Sequence, residues 1–143
     1  TETCIQGMDI WESTTQLDFF ERVDNPEDAT LTFVFDDTTS VTGICKILAW
    51  DQTTLTPLEL EITLDATAVE EYQYGLYQVV FHELGHAIGF WRHSNDMGHC
   101  MNHSNLQAQP HPDEIRLARI LYHMECYEDL GFLRDGRVYD YHE

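Results

Sequence analysis

The chain has 143 residues, 43% of them apolar, which suits a single domain with its own hydrophobic core over residues 1–143. Its 26 acidic and 7 basic residues give a formal net charge of −19, which argues against a nucleic-acid partner because phosphates would be repelled. No apolar run reaches the roughly 18 residues of a membrane-spanning helix, so the sequence predicts none. We interpret the acidic charge as a solvated surface, with calcium binding and a preference for basic substrates as the alternatives.

The first half of the chain favours β-strands. Residues 31–35 are rich in β-forming side chains, and residues 43–50 form a second predicted strand. Residues 58–64 alternate apolar and acidic side chains, as a half-buried strand does. The segment 10–23 is ambiguous, because its apolar residues fit a helical face only loosely.

The second half favours helices. Residues 69–88 contain no proline and stop before Gly89, a residue that commonly ends helices. After an irregular loop over residues 90–111, the segment His111-Pro112-Asp113-Glu114 opens a helix that should end before Gly131. We expect its buried side to comprise Ile115, Leu117, Ala118, Leu121, Tyr122 and Met124. Strands followed by helices indicate an α+β fold.

The chain has four cysteines, namely Cys4, Cys45, Cys100 and Cys126, and none of them forms a CxxC pair. An even number in a small acidic domain predicts two disulfides formed in an oxidising compartment, with three pairings open. The alternative is four reduced thiols that serve as small core residues. The disulfide interpretation places the protein in a secreted or extracytoplasmic location.

A metal site is predicted by the segment "HELGH". His82 and His86 are four residues apart, a spacing that rises about 6 Å along a helix and puts both imidazoles on one face, where they can bind one zinc ion. Glu83 can then take a proton from a water molecule whose pKa the zinc lowers. This is the H-E-x-x-H pattern, and the alternative is two histidines on an ordinary amphipathic helix. Gly89 permits a sharp turn, after which His93 can supply the third protein ligand that a catalytic zinc uses.

The longer segment "HELGHAIGFWRHS" resembles the metzincin signature H-E-x-x-H-x-x-G-x-x-H. It is most similar to the matrixin (matrix metalloprotease-like) branch, where serine follows the third histidine. Met101, within Cys100-Met101-Asn102, is where metzincins carry the Met-turn, whose methionine packs beneath the metal. The stretch "LELEITLDA" resembles the strand that lines their substrate cleft, and "PDEIRLARILY" resembles their aspartate-bearing C-terminal helix. We expect residues 58–64 to form an exposed edge strand that holds an extended substrate by backbone pairing. The resemblance implies a mixed, twisted β-sheet in the N-terminal half with an active-site helix and a C-terminal helix, and peptide-bond hydrolysis as the activity.

The chain departs from the family pattern just before the third histidine. The family has two residues between the glycine and that histidine, whereas this chain has Phe90, Trp91 and Arg92. We expect the loop to bulge by one residue so that His93 still binds the metal. If His93 does not bind, Asp96 and His99 are the alternative candidates for the third metal ligand.

Three other features concern the site. All eight histidines lie at position 82 or later, so the upstream histidine cluster that holds a structural zinc in vertebrate matrixins has no counterpart, and we predict one catalytic zinc ion. The C-terminal helix has Asp113-Glu114 in place of the family's aspartate pair. His103 lies where astacin-like and serralysin-like metzincins have a tyrosine that can touch the metal or the oxyanion. It could contact the oxyanion or the substrate, or be a solvated loop histidine.

The sequence therefore predicts a secreted, monomeric zinc endopeptidase that acts on proteins or peptides with Glu83 as general base. The alternative from another class is a zinc-stabilised protein-binding module whose altered loop has cost it catalysis. Acidic loops such as Asp36-Asp37 could bind calcium, but no EF-hand-like spacing supports this.

Overall fold

The structure, a computed structural model, describes residues 2–38, 41–54, 56–65, 67, 75–104 and 106–123. Its main elements in chain order are α1 (Glu2–Thr15), β1 (Leu31–Phe35), β2 (Gly43–Trp50), β3 (Pro57–Leu64), α2 (Leu76–Ala87) and α3 (Pro112–His123). A short 3-10 helix, Pro26–Asp28, precedes β1. The predicted α+β class is confirmed. No helix in these ranges is long and apolar enough to cross a membrane.

The sheet is mixed, as expected, with strand order β1-β3-β2. β1 runs parallel to β3, and β2 runs antiparallel to it. The three strands lie where the sequence predicts them, but β3 is the central strand. The expectation that residues 58–64 form an exposed edge strand is therefore wrong, because β3 pairs on both sides. Local alternation identifies a strand, whereas its neighbours in the sheet depend on long-range pairing.

Helix α1 precedes the sheet, so the predicted order of strands first and helices second is wrong for the start of the chain. The helix ends at Thr15, and Gln16 adopts a positive φ of 61°, which breaks the ambiguous segment into a helix and a loop. Trp11 is fully buried, and its Nε1 donates a hydrogen bond of 3.0 Å to the Phe81 carbonyl. Its ring stacks on Phe81 with centroids 4.9 Å apart. Trp11 thus fastens α1 to the middle of α2.

Helix α2 ends as the sequence predicts. Gly89 has a φ of +115°, and its N–H donates to the His86 carbonyl at 3.0 Å. The Phe90 N–H donates to the Gly85 carbonyl at 3.0 Å. These two bonds form a Schellman motif, which reverses the chain at the end of the helix. The described helix begins after Gly75, and residues 69–74 of the predicted segment lie outside the described residues.

Helix α3 begins at Pro112 as predicted, but its buried side differs from the expectation. Ala118 is fully buried, whereas Leu117 and Leu121 are 45% and 46% exposed. Tyr122 is 49% exposed but is held by a hydrogen bond of 3.1 Å from its hydroxyl to the Ile88 carbonyl. Helical spacing identifies side chains that share a face, but not how much of that face a neighbour covers. Met124 and the predicted end before Gly131 lie outside the described residues.

The predicted pair of disulfides is not found. Two bonds among four cysteines would join at least two of Cys4, Cys45 and Cys100, and no disulfide links these three. Cys4 and Cys100 are buried in the hydrophobic core, where a thiol packs as a small apolar group. Cys126 lies outside the described residues.

Candidate metal centre

Three imidazoles converge at the C-terminal half of α2. His82 and His86 lie one turn apart on the helix, and His93 approaches them from the loop that follows. One ligand nitrogen of each lies within 4.8 Å of the others, and the three ring centroids are 4.9–5.1 Å apart. His86 Nε2 and His93 Nε2 are separated by 3.3 Å. The histidines predicted from the H-E-x-x-H pattern and its extension are therefore brought together.

Hydrogen bonds orient two of these rings. His82 Nδ1 donates to the Cys100 carbonyl at 2.7 Å, and His86 Nδ1 donates to the Phe90 carbonyl at 2.5 Å. Because each carbonyl can only accept, the proton stays on Nδ1, and Nε2 keeps the lone pair that a metal ion requires. Burial lowers the pKa of His82 to about 4 and also lowers the pKa values of His86 and His93. Neutral imidazoles with oriented Nε2 atoms fit a zinc ion.

The additional loop residue is accommodated by a tight turn. The Trp91 N–H donates to the Gly89 carbonyl at 3.1 Å. Phe90 turns inward and stacks on Trp11 with centroids 5.6 Å apart, whereas Trp91 turns outward and is 48% exposed. The loop therefore bulges at Trp91, and the bend at Arg92 brings His93 beside His86.

The segment after His93 is tied to the turn that contains Met101. The Ser94 N–H donates to the Met101 carbonyl at 2.8 Å, and the Asn102 side-chain amide donates to the Ser94 carbonyl at 2.9 Å. Asp96 and His99, the alternative candidates for the third ligand, make other contacts. His99 Nδ1 is 2.8 Å from Ser94 Oγ, and Asp96 Oδ1 accepts from a backbone N–H in its own loop. Neither joins the three-histidine group.

Glu83 is a buried carboxylate placed against β2. It is 6% exposed, and burial raises its pKa to about 7. The Cys45 backbone N–H donates a hydrogen bond to this carboxylate. A Cβ atom at Gly43 would lie 3.0 Å from Glu83 Oε1, so the absence of a side chain lets the strand approach. Burial, followed by the charge of Glu83, raises the pKa of the Cys45 thiol to about 12, which keeps that thiol neutral.

Met101 lies against the helix that carries the histidines. It is 2% exposed, and its sulfur packs on the Cα of Gly85, which stands between His82 and His86 in the chain. The Trp11 ring also lies against Gly85, because a Cβ atom at Gly85 would lie 3.2 Å from Trp11 Cζ2. The sequence signal for this contact is the glycine within "HELGH", because a residue without a side chain lets another side chain pack against the helix backbone.

Replacing Gly85 with alanine should destabilise the domain by about 1–3 kcal/mol, because the new methyl group would collide with Met101 Sδ in a closely packed interior. The measurement is the free energy of unfolding in denaturant. Gly98→Ala is the matched control, because Gly98 lies in an exposed loop and should change stability by no more than about 0.5 kcal/mol. Equal effects of the two changes would contradict this packing.

Glu114 is a positioning residue that sequence reasoning missed. Its side chain is 4% exposed and accepts three backbone hydrogen bonds, from Cys100 at 3.1 Å, Met101 at 3.0 Å and His111 at 2.7 Å. It therefore holds the turn whose Cys100 carbonyl orients His82. One sequence feature marks this position, namely the acidic pair Asp113-Glu114 at the start of α3. Acidic residues in a first turn indicate a favourable interaction with the helix dipole, but they do not show which distant backbone groups a carboxylate contacts.

His103 is exposed and lies at the edge of the histidine group. Its ring centroid is 5.3 Å from that of His93, and it is outside the set of mutually close ligand atoms. This location allows contact with a molecule bound over the three imidazoles.

Comparison with known families identifies the chain. The family model for matrixins matches residues 1–122, which is most of the 143 residues. Comparisons with curated proteins and with solved structures gave no match. Matrixins are zinc metalloproteases, typically extracellular, and the three histidines are possible ligands for that zinc. Because the family model spans α1, the sheet, α2 and nearly all of α3, the chain belongs to the matrixin family.

Proposed function

We propose that this chain is a secreted zinc-dependent endopeptidase. The observation that carries the proposal is the convergence of His82, His86 and His93 beside a buried glutamate. Among the residues that the structure describes, no fourth protein ligand joins the three imidazoles. Such a group leaves one position open, which is typical of catalytic rather than structural zinc sites.

The three imidazoles would hold the ion, and Glu83 would act as general base and then general acid. Bound zinc supplies a Lewis acid that polarises the scissile carbonyl and lowers the pKa of water. Glu83 takes the proton from the attacking water and later gives it to the leaving amine. Without the metal, burial raises the pKa of Glu83 to about 7. The charge of a bound zinc ion would lower this pKa and favour the carboxylate form that accepts the proton. The Cys45 N–H donates to the carboxylate and favours its deprotonated form.

Strand β2 is the element we propose for substrate binding, in place of β3. The strand runs along the site from Cys45, whose N–H donates to Glu83, to Trp50. The Trp50 ring lies 6.0 Å from the ring of Trp91, which belongs to the loop that carries His93. Within the described ranges, β2 pairs on one side only, with β3. An extended peptide can therefore add to its other side by backbone hydrogen bonds. His103 is placed to contact the substrate or the oxyanion beyond His93.

Metal removal tests the proposal. Zinc-loaded wild type should cut a proteome-derived peptide library at internal bonds, a chelator should abolish the cuts, and added zinc should restore them. The readout is the set of new N-termini. The paired variants His86→Gln and His103→Gln provide the comparison: the first should lose the ion and cleavage together, and the second should keep the ion. Cuts that survive chelation, or that His86→Gln makes as fast as the wild type, would refute the proposal.

A further inference from the structure

A second group of possible metal ligands lies next to the first. His99, His111 and Asp113 each offer one ligand atom, and these atoms are all within 4.8 Å of one another. The rings of His99 and His111 have centroids 4.6 Å apart. His99 belongs to the turn before Met101, whereas His111 and Asp113 begin α3. Two segments well separated along the chain therefore meet at this group.

We propose that His99, His111 and Asp113 form a second site for a zinc-class divalent transition-metal ion. The ligand chemistry sets the class of ion, because two imidazoles and one carboxylate suit zinc and its neighbours, whereas calcium and magnesium prefer oxygen donors alone. Metal–ligand bonds of about 2 Å require the three donors to close by a small side-chain rotation. The Asp113 side chain is 60% exposed and can make that movement.

Contacts already present orient this group. Ser94 Oγ lies 2.8 Å from His99 Nδ1, which leaves His99 Nε2 as the nitrogen available to a metal ion. An Asp113 carboxylate oxygen lies 3.6 Å from His111 Nδ1, which is too far for a hydrogen bond but close enough for one ion to contact both atoms. His99 and Asp113 also line a cleft of about 200 Å³ that extends to His93 and Met101, so an ion can reach the group from solvent.

A bound ion would have a defined structural effect. It would join the loop that carries Ser94 and His99 to the first turn of α3, next to the hydrogen bonds that Glu114 makes with the same turn. Ser94 directly follows His93, so this ion would also limit the motion of the third imidazole of the first site. Its role is to brace that site, and it needs no part in the reaction.

The competing explanation is that these side chains only begin the helix. His111 Nδ1 accepts a hydrogen bond of 3.2 Å from the Asp113 N–H, and Asp113 Oδ1 lies 3.5 Å from Arg116. These contacts need no metal. They do not involve His99, however, so substitution of His99 separates the two explanations.

Metal stoichiometry measured by native mass spectrometry tests the proposal without reference to activity. Metal-stripped protein is titrated with zinc chloride. The wild type should bind two ions, whereas His99→Gln and His111→Gln should each bind one. Loss of either ligand should lower the affinity of the second site for zinc at least about tenfold. The melting temperature of the wild type should keep rising beyond the first equivalent of zinc, and that second rise should be missing in both variants.

Two comparisons make the outcome decisive. His103→Gln lies outside both ligand groups and should keep two ions, and His86→Gln should lose the first ion while keeping the second. The melting temperatures of the metal-free variants exclude misfolding as the cause of a lost ion. A wild type that binds one ion, lost only in His86→Gln, would overturn this inference and leave the protease proposal standing. One ion lost only in His99→Gln and His111→Gln would support the second site and refute the first.

Discussion

Replacing Glu83 with glutamine should lower kcat for peptide cleavage by about 10²–10⁴-fold while the zinc content of the first site stays at the wild-type value. The amide is close in shape to the carboxylate but cannot take a proton from water. The amide oxygen can still accept a hydrogen bond from the Cys45 N–H. The neighbouring imidazoles keep their own carbonyl partners, so the metal ligands should be unaffected. Steady-state kinetics on a peptide from the cleaved library, with metal analysis of the same samples, measures both quantities.

Glu59→Gln is the matched control, because Glu59 is an exposed carboxylate on the central strand β3, outside the site. It should leave kcat unchanged. The comparison also separates the two candidate functions. A binding module that uses zinc only for stability needs no general base, so zinc-loaded wild type would cut no peptide and Glu83→Gln would not differ from it. Loss of cleavage in Glu83→Gln with zinc retained is the result that a protease requires.

Replacing Glu114 with alanine should lower the free energy of unfolding by about 3 kcal/mol or more. The change leaves the backbone N–H groups of Cys100, Met101 and His111 without their shared acceptor, and an unpaired buried donor costs about 1–3 kcal/mol. Because the same turn orients His82 through the Cys100 carbonyl, zinc affinity should fall by about 10–100-fold. Denaturant unfolding and competitive zinc titration give the two values.

A change on the exposed side of α3 serves as the control. Arg116 is 74% exposed, and Arg116→Ala should alter stability by no more than about 0.5 kcal/mol. Glu114→Gln should lie between wild type and Glu114→Ala, since one acceptor oxygen remains. Amide hydrogen exchange at Cys100 and Met101 should accelerate in Glu114→Ala. Unchanged exchange at these two residues would show that the carboxylate does not hold the turn.

The sequence alone determined the features that depend on neighbouring residues. β-forming side chains located β1 and β2, and the alternation of apolar and acidic residues located β3. Gly89 marked the end of α2, because a residue without Cβ adopts positive φ at low cost. The spacing of His82 and His86 placed both imidazoles on one helical face. Each of these inferences uses the regular geometry of a single element.

Only the tertiary structure decided which separate segments meet. It put β3 in the centre of the sheet, brought His93 rather than His99 to the two helical imidazoles, and directed Glu114 at the turn before Met101. It also brought His99 to His111, which the expectation of a single zinc ion did not foresee. Spacing along the chain cannot give these results, because a contact between distant segments depends on how the intervening loops fold and on which side chains share the space between elements.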